Sequence, residues 1–508
     1  MKSGLAILGC LTVVASAQVI PTNRTFTAAW LNAGHPGPIV LPAKVVNVRD
    51  FGSLGTGTTN DLPAITAAIR SLSNAPGVVF FPAGAYRLQA TLNVPAGVVL
   101  RGESPTNTLL RIDHLRHGIS ISGGPQTGKF QRVLAGYSLH SNSITVSNGS
   151  EFAAGDYAEL QQNNDPSWRV SGWAQKTCGQ FVRITAVAGN TLTLERPLRI
   201  GYRDDLLPEI RKVNLVTGAG VENLKLERLA AGTNPQRDNI YTISLAYAAR
   251  CWVRGVESAN TFGGHVALDW STQCEVTGSY FHHAWDYDGG GSGYGVRLQY
   301  KSGECKVENN IFQHLRHSIV AQAGVNGNVV AYNYSREPLR TEFPSEVSSD
   351  ITIHGNYPYA NLFEGNIVQH IQLDSSHGAN GPLNTFFRNR AEAYGLNVTD
   401  RTASNQNVVG NETFTVAFAP FLGDGYSLKG PGNFEFGNLT KARGLQPPGT
   451  TNLTDVSYYL TNLPAFWTIT NSWPTIGPPH SLDPAKEIPA RTRYFAGTNL
   501  TVTPRWPR

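Results

Sequence analysis

A chain of 508 residues is too long to rest on one small core. With 15% charged residues against 52 glycines, it also lacks the Glu, Lys and Arg surface of a helical bundle. The net charge of +5 is slight and no basic run occurs, which excludes a nucleic-acid footprint and leaves a mild preference for acidic substrates.

The opening MKSGLAILGCLTVVASA (1–17) reads as a signal peptide: an early Lys2, an apolar run and a small-x-small ending, with cleavage expected before Gln18. Neither this run nor any later one is long enough to span a bilayer, so a secreted, extracellular or periplasmic protein without membrane insertion is expected.

Residues 18–130 are read as an N-terminal cap and the first coils of a solenoid. Val46 and Val48 alternate as a strand, Gly52, Gly55 and Gly57 make a turn, and Asp61 is placed as the N-cap of a short helix that tolerates Pro63 in its first turn. Ile65 and Ile69 give that helix an apolar face suited to covering an open solenoid end. GVVFFPAGAYRL (77–88) and GVVLRGE (97–103) supply the first strands. Over 131–215 the pattern lapses into four or five short alternating strands with NG and GN turns, a small inserted β-barrel or sandwich. Its long loop carries Trp168 and Trp173, read either as a wall of a substrate cleft or as plain packing against the solenoid.

Residues 216–430 repeat. CWVRGVESA, CEVTGSYFH, CKVENNIFQ, NVVAYNYSR, NLFEGNIVQ and NTFFRNRAE align on an apolar residue two places after a Cys or Asn, with Asn310, Asn333, Asn366 and Asn389 in one column. Period-2 alternation with Asn and Gly punctuation indicates a parallel β-solenoid whose coils stack at roughly 4.8 Å. Asn suits such a column because it tolerates a left-handed turn and its side chain bonds to backbone. Cys251, Cys274 and Cys305 then stack as core residues; a zinc site would want short ligand pairs, and no metal ligand set is assigned. Residues 431–508 are read as a proline-rich extended tail along the solenoid, without helix or regular sheet.

VRDFG (48–52), ND (60–61), AITAAI (64–69), GVVFFPAGAY (77–86) and VPAGVVLRGE (94–103) resemble the opening of the pectate-lyase-superfamily right-handed β-helix proteins, which include polygalacturonases, tailspike glycanases and alginate epimerases. Where those relatives carry an Asp-rich turn, this chain reads GTGTTND (55–61). The resemblance implies an all-β, single-stranded right-handed parallel β-helix with a helical cap and a small inserted β domain, acting on an extracellular polysaccharide.

Chemistry is placed where ionisable residues crowd after consecutive strands. Counted from the Asn column, His283, His314, Glu337 and His370 fall four places on, and Asp286, His317 and Arg340 seven places on, which predicts spatial neighbours. Glycoside hydrolysis needs two carboxyl groups, for which Asp286 and Asp288 lead with Glu337 or Asp374 as partner and His317 in support. A uronate lyase or epimerase needs a cation against the sugar carboxylate and a base near its α-proton; Arg316, Arg340, His317, His354 and Lys301 fit that scheme, and calcium is a cofactor only under it. His283, His354, His377, Trp285 and Tyr287 are assigned to substrate binding, the rings as surfaces for sugar faces. GGGSG (289–293) lacks the Lys-Ser/Thr pair of a nucleotide loop. The N-terminal opening puts a hydrolase first and a lyase or epimerase second, with a non-catalytic carbohydrate-binding β-helix as a third reading; a monomer without bound cofactor is expected.

Overall fold

The computed structural model describes residues 18–504 apart from 126–128, 230–238, 344, 346, 416–422 and 471. The leader read at 1–17 lies outside them.

The chain is a single-stranded right-handed parallel β-helix. One face is a sheet of 12 parallel strands that begins at Val45–Asn47 and ends at Phe434–Phe436. The second face runs from Thr56–Asn60 through Ile311–Gln313 to Asn438–Thr440, and the third from Leu92–Asn93 through Tyr294–Gln299 to Tyr426–Leu428. The interior is a continuous apolar column that includes Val253, Val276, Val307, Val330 and Phe363 from the first face and Val266, Val296, Ile319 and Ile351 from the third. Alternation along each strand leaves one set of side chains in that column and aims the other outward.

The turn after the first face explains the Asn column. Asn310 donates to Asn333, Asn333 to Asn366, Asn366 to Asn389, Asn389 to Asn411 and Asn411 to Asn438, at 2.8–3.0 Å. Each Nδ2 from Asn310 to Asn438 also reaches a strand carbonyl of the preceding coil, as Asn366 does to Val330 at 2.8 Å. The left-handed residue is the one before, Asn309, Tyr332, Gly365, Arg388, Gly410 or Gly437, so these Asn serve the ladder and not the φ angle. A second ladder begins where the cysteines end: Asn328 donates to Asn361, Asn361 to Asn384 and Asn384 to Gln406, continuing the column of Cys251, Cys274 and Cys305. The four cysteines among the described residues are buried free thiols, and burial pushes Cys274 well up.

The helix Leu62–Ser71 caps the first coil through Ile65, Ala68 and Ile69. Asp61 stands at its N-cap position without capping it. Its backbone is already helical, and its carboxylate instead accepts from Ser53 Oγ at 2.8 Å and from the amides of Leu54 and Arg87 at 2.9 and 3.0 Å, which pins the glycine turn.

Both described ends of the chain lie along the first face. Arg24 meets Asn407, Trp30 Nε1 donates to the Ala360 carbonyl at 2.9 Å, and Gly34 donates to Glu304, so residues 20–41 descend the solenoid before entering it. The C-terminal tail descends beside them: Tyr458 N donates to Glu364, Arg390 to the carbonyls of Asp483 and Lys486, Arg493 to Asn309, and Val502 to Gly278. The tail is not wholly irregular. Strands Asn438–Thr440 and Gly444–Gln446 form a hairpin, and Pro489–Ala496 is a helix whose proline sits at its first position, with left-handed Gly497 ending it. Together the two ends bury the outer side of the first face, Val329, Ala331, Leu362, Phe387 and Val409, leaving it no room for substrate.

Seven strands from Gly124–Pro125 to Glu209–Asn214 make the insertion, an antiparallel sheet with its own core of Val133, Ile144, Leu160, Ile184 and Ile210. Buried ion pairs dock it on the solenoid: Lys301 with Glu159 at 2.8 Å, and Arg199 with Glu304.

Candidate active site

Register on the third face decides which side chains meet. Ala321 pairs with Leu298 and with Ile353, and Leu373 with Ile353, so the next outward residues, Gln299, Gln322, His354 and Asp374, form one column. Tyr294 pairs with His317 in a second column nearer the second face, with Arg297 between the two. Residues far apart in the chain thus share one outward patch at one coil per step.

His354 directs Nδ1 at both Asp374 oxygens, 3.0 Å from each. Burial works to raise the Asp374 pKa, but the His354 contact and the Ser376 amide outweigh it and hold the carboxyl below its ordinary value. His317 lies with its ring centroid 5.9 Å from that of His354 and 5.4 Å from Tyr294. Burial first, and the Arg316 charge second, push its pKa well below the ordinary imidazole value, so it is neutral. Its Nδ1 lies 2.6 Å from the Ser349 carbonyl and so carries the proton, leaving Nε2 as acceptor 3.3 Å from Arg316 Nη1. Arg316 Nη1 also reaches Tyr294 Oη at 3.5 Å, and Nη2 reaches Glu342 at 3.3 Å. His377 packs on His354 with centroids 4.5 Å apart, and burial lowers its pKa as well.

These groups border a cavity of about 320 Å³ lined by Tyr294, Arg297, Tyr300, Arg316, His354 and His377 among others. One wall comes from the insertion. Ser171 N donates to Asn356 at 2.8 Å and Val170 bridges to Gly378, which brings Trp173 edge-on to Tyr300 and His377 at the rim. Trp168 stacks on Tyr357 at 3.6 Å, while Trp173 is 46% exposed beside the cavity. Tyr300 is itself the last of a stack, Tyr247–Trp270–Tyr300, whose members all have positive φ. The opposite wall is the loop of Gly290 and Gly291. Among the described residues no group of three or more His, Cys, Asp or Glu is placed to hold a metal ion.

The predicted residues divide into those the fold gathers and those it separates. Arg316, His317, His354, Asp374 and His377 come together. The four-place column is half present: His283 stacks on His314 at 4.9 Å and His314 lies 3.9 Å from Glu337, a patch at the second-face turn, whereas His370 turns into the protein and is 1% exposed. The seven-place column does not form. The connections from second to third face, 285–293, 314–316 and 337–350, differ in length, so counting places Asp286 in a loop, His317 in a strand and Arg340 in another loop. Asp286 accepts from Asp288 N at 2.9 Å and Ser292 Oγ at 3.1 Å within its own turn, and Asp288 pairs with Thr341. Glu337 is exposed and bonded to Gln313. Trp285 donates to the Arg228 carbonyl, and Tyr287 Oη accepts from Ala284 N and packs on His314, so both anchor the loop. Lys301 is consumed in docking the insertion. Arg297, Gln299 and Gln322 were not singled out from the sequence. Their signal was a polar residue alternating with core residues in YGVRLQY (294–300) and IVAQ (319–322).

The sequence profile described as rhamnogalacturonase A/epimerase, pectate lyase-like, matches residues 45–155. A non-secreted LysM effector of Penicillium expansum is 27% identical over 86 residues, 17% of this chain and 6% of its own length. A mannuronan C5-epimerase of Azotobacter vinelandii is 37% identical over 84 residues, 15% of this chain and 6% of its own. The matched stretches thus span a small fraction of those relatives. Among solved structures, the tailspike protein gp49 from Pseudomonas phage LKA1 superposes with a TM-score of 0.54 at 16% identity, covering 73% of this chain and 64% of that one. The fold of the chain is that of the pectate-lyase-like right-handed parallel β-helix proteins.

Proposed function

We propose that the protein acts on a uronic-acid polysaccharide by removing the proton α to the sugar carboxylate, as a lyase or an epimerase. One observation carries this reading: the described lining of the cavity holds two arginines, two histidines and two tyrosines but no carboxylate, and the carboxylates bonded to that lining, Asp374, Asp269 and Glu342, are engaged with His354, Arg297 and Arg316. A glycoside hydrolase wants two carboxyl groups facing each other across the bond, and Asp286 and Asp288 are held in a turn of the flanking loop. The epimerase among the sequence relatives and the epimerase in the matching profile point the same way.

In this scheme Arg316 pairs with the uronate carboxylate and stabilises the enolate formed when the α-carbon loses its proton. His354 is the base. With Nδ1–H held by Asp374 its Nε2 lone pair is free, and the carboxylate stabilises the imidazolium that forms. Tyr294 stands next to Arg316, and neutral His317 beside it keeps its proton on Nδ1 against the Ser349 carbonyl. A proton delivered from the Tyr294 hydroxyl to the opposite face of the α-carbon completes an epimerisation, and the phenolate regains its proton from solvent. If instead the electron pair expels the glycosidic oxygen from the β-carbon, that oxygen takes the proton and the product carries a carbon–carbon double bond. We read the activity as exported, on the leader at 1–17.

The test is incubation with uronic-acid polymers in deuterated water, following ultraviolet absorbance of unsaturated product, deuterium at the α-carbon and reducing ends together. Absorbance or deuterium supports the reading. New reducing ends with neither would overturn it and return attention to the carboxylates.

A further inference from the structure

The segment that follows the leader read at 1–17 is anchored at once. Val19 N donates to Asp455 Oδ2 at 2.8 Å and Ile20 N to Tyr458 Oη at 3.3 Å, and the Ile20 side chain is wholly buried in the cluster that holds Trp30 and Tyr458. Tyr458 Oη in turn donates to the same Asp455 oxygen, so a carboxylate and a phenol of the C-terminal tail together grip the start of the N-terminal arm. Gln18, one residue earlier, is exposed and makes no hydrogen bond to another described residue. It borders a cavity of about 260 Å³ between the arm and the insertion, where Phe26 and Ala29 from the arm and His140 and Pro197 from the insertion give an apolar wall and the Phe26 and His140 rings stand 5.6 Å apart.

Cleavage before Gln18 gives that residue a free α-amine and leaves its side chain unrestrained. The amine then reaches its own Cδ, and closing a lactam ring within one residue requires no partner to be brought up, the case in which an intramolecular reaction is most favoured. An α-amine titrates at about 7.7–8.0, so an uncharged, attacking fraction exists at neutral pH. Its lone pair forms the N–Cδ bond, the Cδ–Nε2 bond breaks, and the side-chain nitrogen leaves as ammonia with the proton that the amine gives up. No oxidant, metal or second substrate enters.

We propose that Gln18 is a modification site, carried in the mature protein as pyroglutamate, and that the compact, neutral lactam seats in the cavity beside Phe26 and His140. This modification requires that 1–17 be a leader, as read above, and it is independent of the chemistry assigned to His354. Its consequence falls on the first face, whose cover begins at this residue. With Val19 and Ile20 gripped by Asp455 and Tyr458, an exopeptidase reaches the bond after the lactam only by lifting the arm off the solenoid.

The full chain is secreted with its own leader, left at neutral pH until its mass no longer changes, and measured by intact mass spectrometry and stepwise N-terminal sequencing. The expected product begins at residue 18, weighs one ammonia less than its sequence, and yields no N-terminal residue. After unfolding and treatment with a pyroglutamyl peptidase it is expected to read from Val19. Gln18→Ala is expected to begin at the same position with its full mass and a readable end. The folded wild-type protein is expected to lose the lactam to the peptidase at least about tenfold more slowly than the unfolded one. A chain that begins at residue 18 with its full mass would overturn the cyclisation and leave the leader standing. A chain that begins elsewhere, or keeps residues 1–17, would overturn the leader and the modification with it. A lactam removed equally fast from folded and unfolded protein would overturn its seating in the cavity.

Discussion

His354 and Asp374 lie one coil apart on the third face, and the imidazole Nδ1 is equidistant from the two carboxylate oxygens at 3.0 Å. The symmetry fixes the tautomer, because a donor so placed cannot leave its proton on the other nitrogen. Asp374→Asn keeps the volume but presents an amide that can hold the wrong tautomer. We expect kcat to fall about 10²–10⁴-fold with KM little changed, as for loss of a positioned base. A variant whose KM rose while kcat held would show that the pair binds substrate and does not move a proton.

In the proposed reaction Arg316 is the cationic group the uronate carboxylate must claim, and the loop carboxylate of Glu342, 48% exposed, occupies it at 3.3 Å. Glu342 thus mimics the ligand. Glu342→Gln is expected to lower KM on a uronate polymer by about threefold, within the small range of exposed ion pairs. Arg316→Ala is expected to raise KM by tenfold or more, since a charge-assisted bond to a carboxylate is worth about 1.5–3 kcal/mol. Opposite signs for the two variants are the diagnostic result; a fall in activity for both would make the pair a structural strut of the loop.

Which parts of this were legible beforehand follows from how each contact is encoded. The Asn and Cys columns repeat at intervals a reader can align, because each coil returns its backbone to the same turn, and they announced a parallel solenoid. The site depends on a register that counting from those columns cannot recover. Loops of unequal length intervene between the second and third faces, so Gln299, Gln322, His354 and Asp374 share no spacing although they share a column. His370 and Glu364 are polar residues in the right segments that the fold turns inward or covers, His370 beside Asn397 and Glu364 beneath Tyr458. The Pro489 helix was hidden by the prolines before it, although a proline at a first helical position is no obstacle.

Burial pushes the His370 imidazole down to about 4, with Arg340 acting in the same direction and the backbone of Val347 and Asp374 against it. An unfolded chain protonates that residue near 6.5, so between those values the unfolded state holds the extra proton and folding loses free energy as pH falls. Glu364, raised to about 7 by burial beneath the tail, acts oppositely over much of the same range. A comparison that keeps Glu364 in both proteins isolates the histidine. His370→Gln is expected to be the less stable protein at pH 7.5, with its deficit shrinking by up to about 3 kcal/mol by pH 4.5. Urea unfolding across that range measures it, and a deficit independent of pH would mean that His370 takes up its proton at the same pH in the folded and unfolded chains.

Asn366 sits at the middle of the long ladder, accepting from Asn333 Nδ2 and from the Asn333 amide, each at 3.0 Å, and donating to Asn389 and to the Val330 carbonyl, each at 2.8 Å. Its side chain is wholly buried, so removal leaves partners on both sides unpaired where no solvent reaches. Asn366→Ala is expected to cost about 3–5 kcal/mol, several unmet buried groups at about 1–3 kcal/mol each less what relaxation recovers. Cys274→Ala, in the apolar part of the neighbouring column, removes only a small buried group and is expected to cost about 1–2 kcal/mol. Thermal or chemical unfolding of the two variants compares them directly. Equal losses would mean that the ladder contributes packing volume alone and that its hydrogen bonds are replaced when one rung is lost.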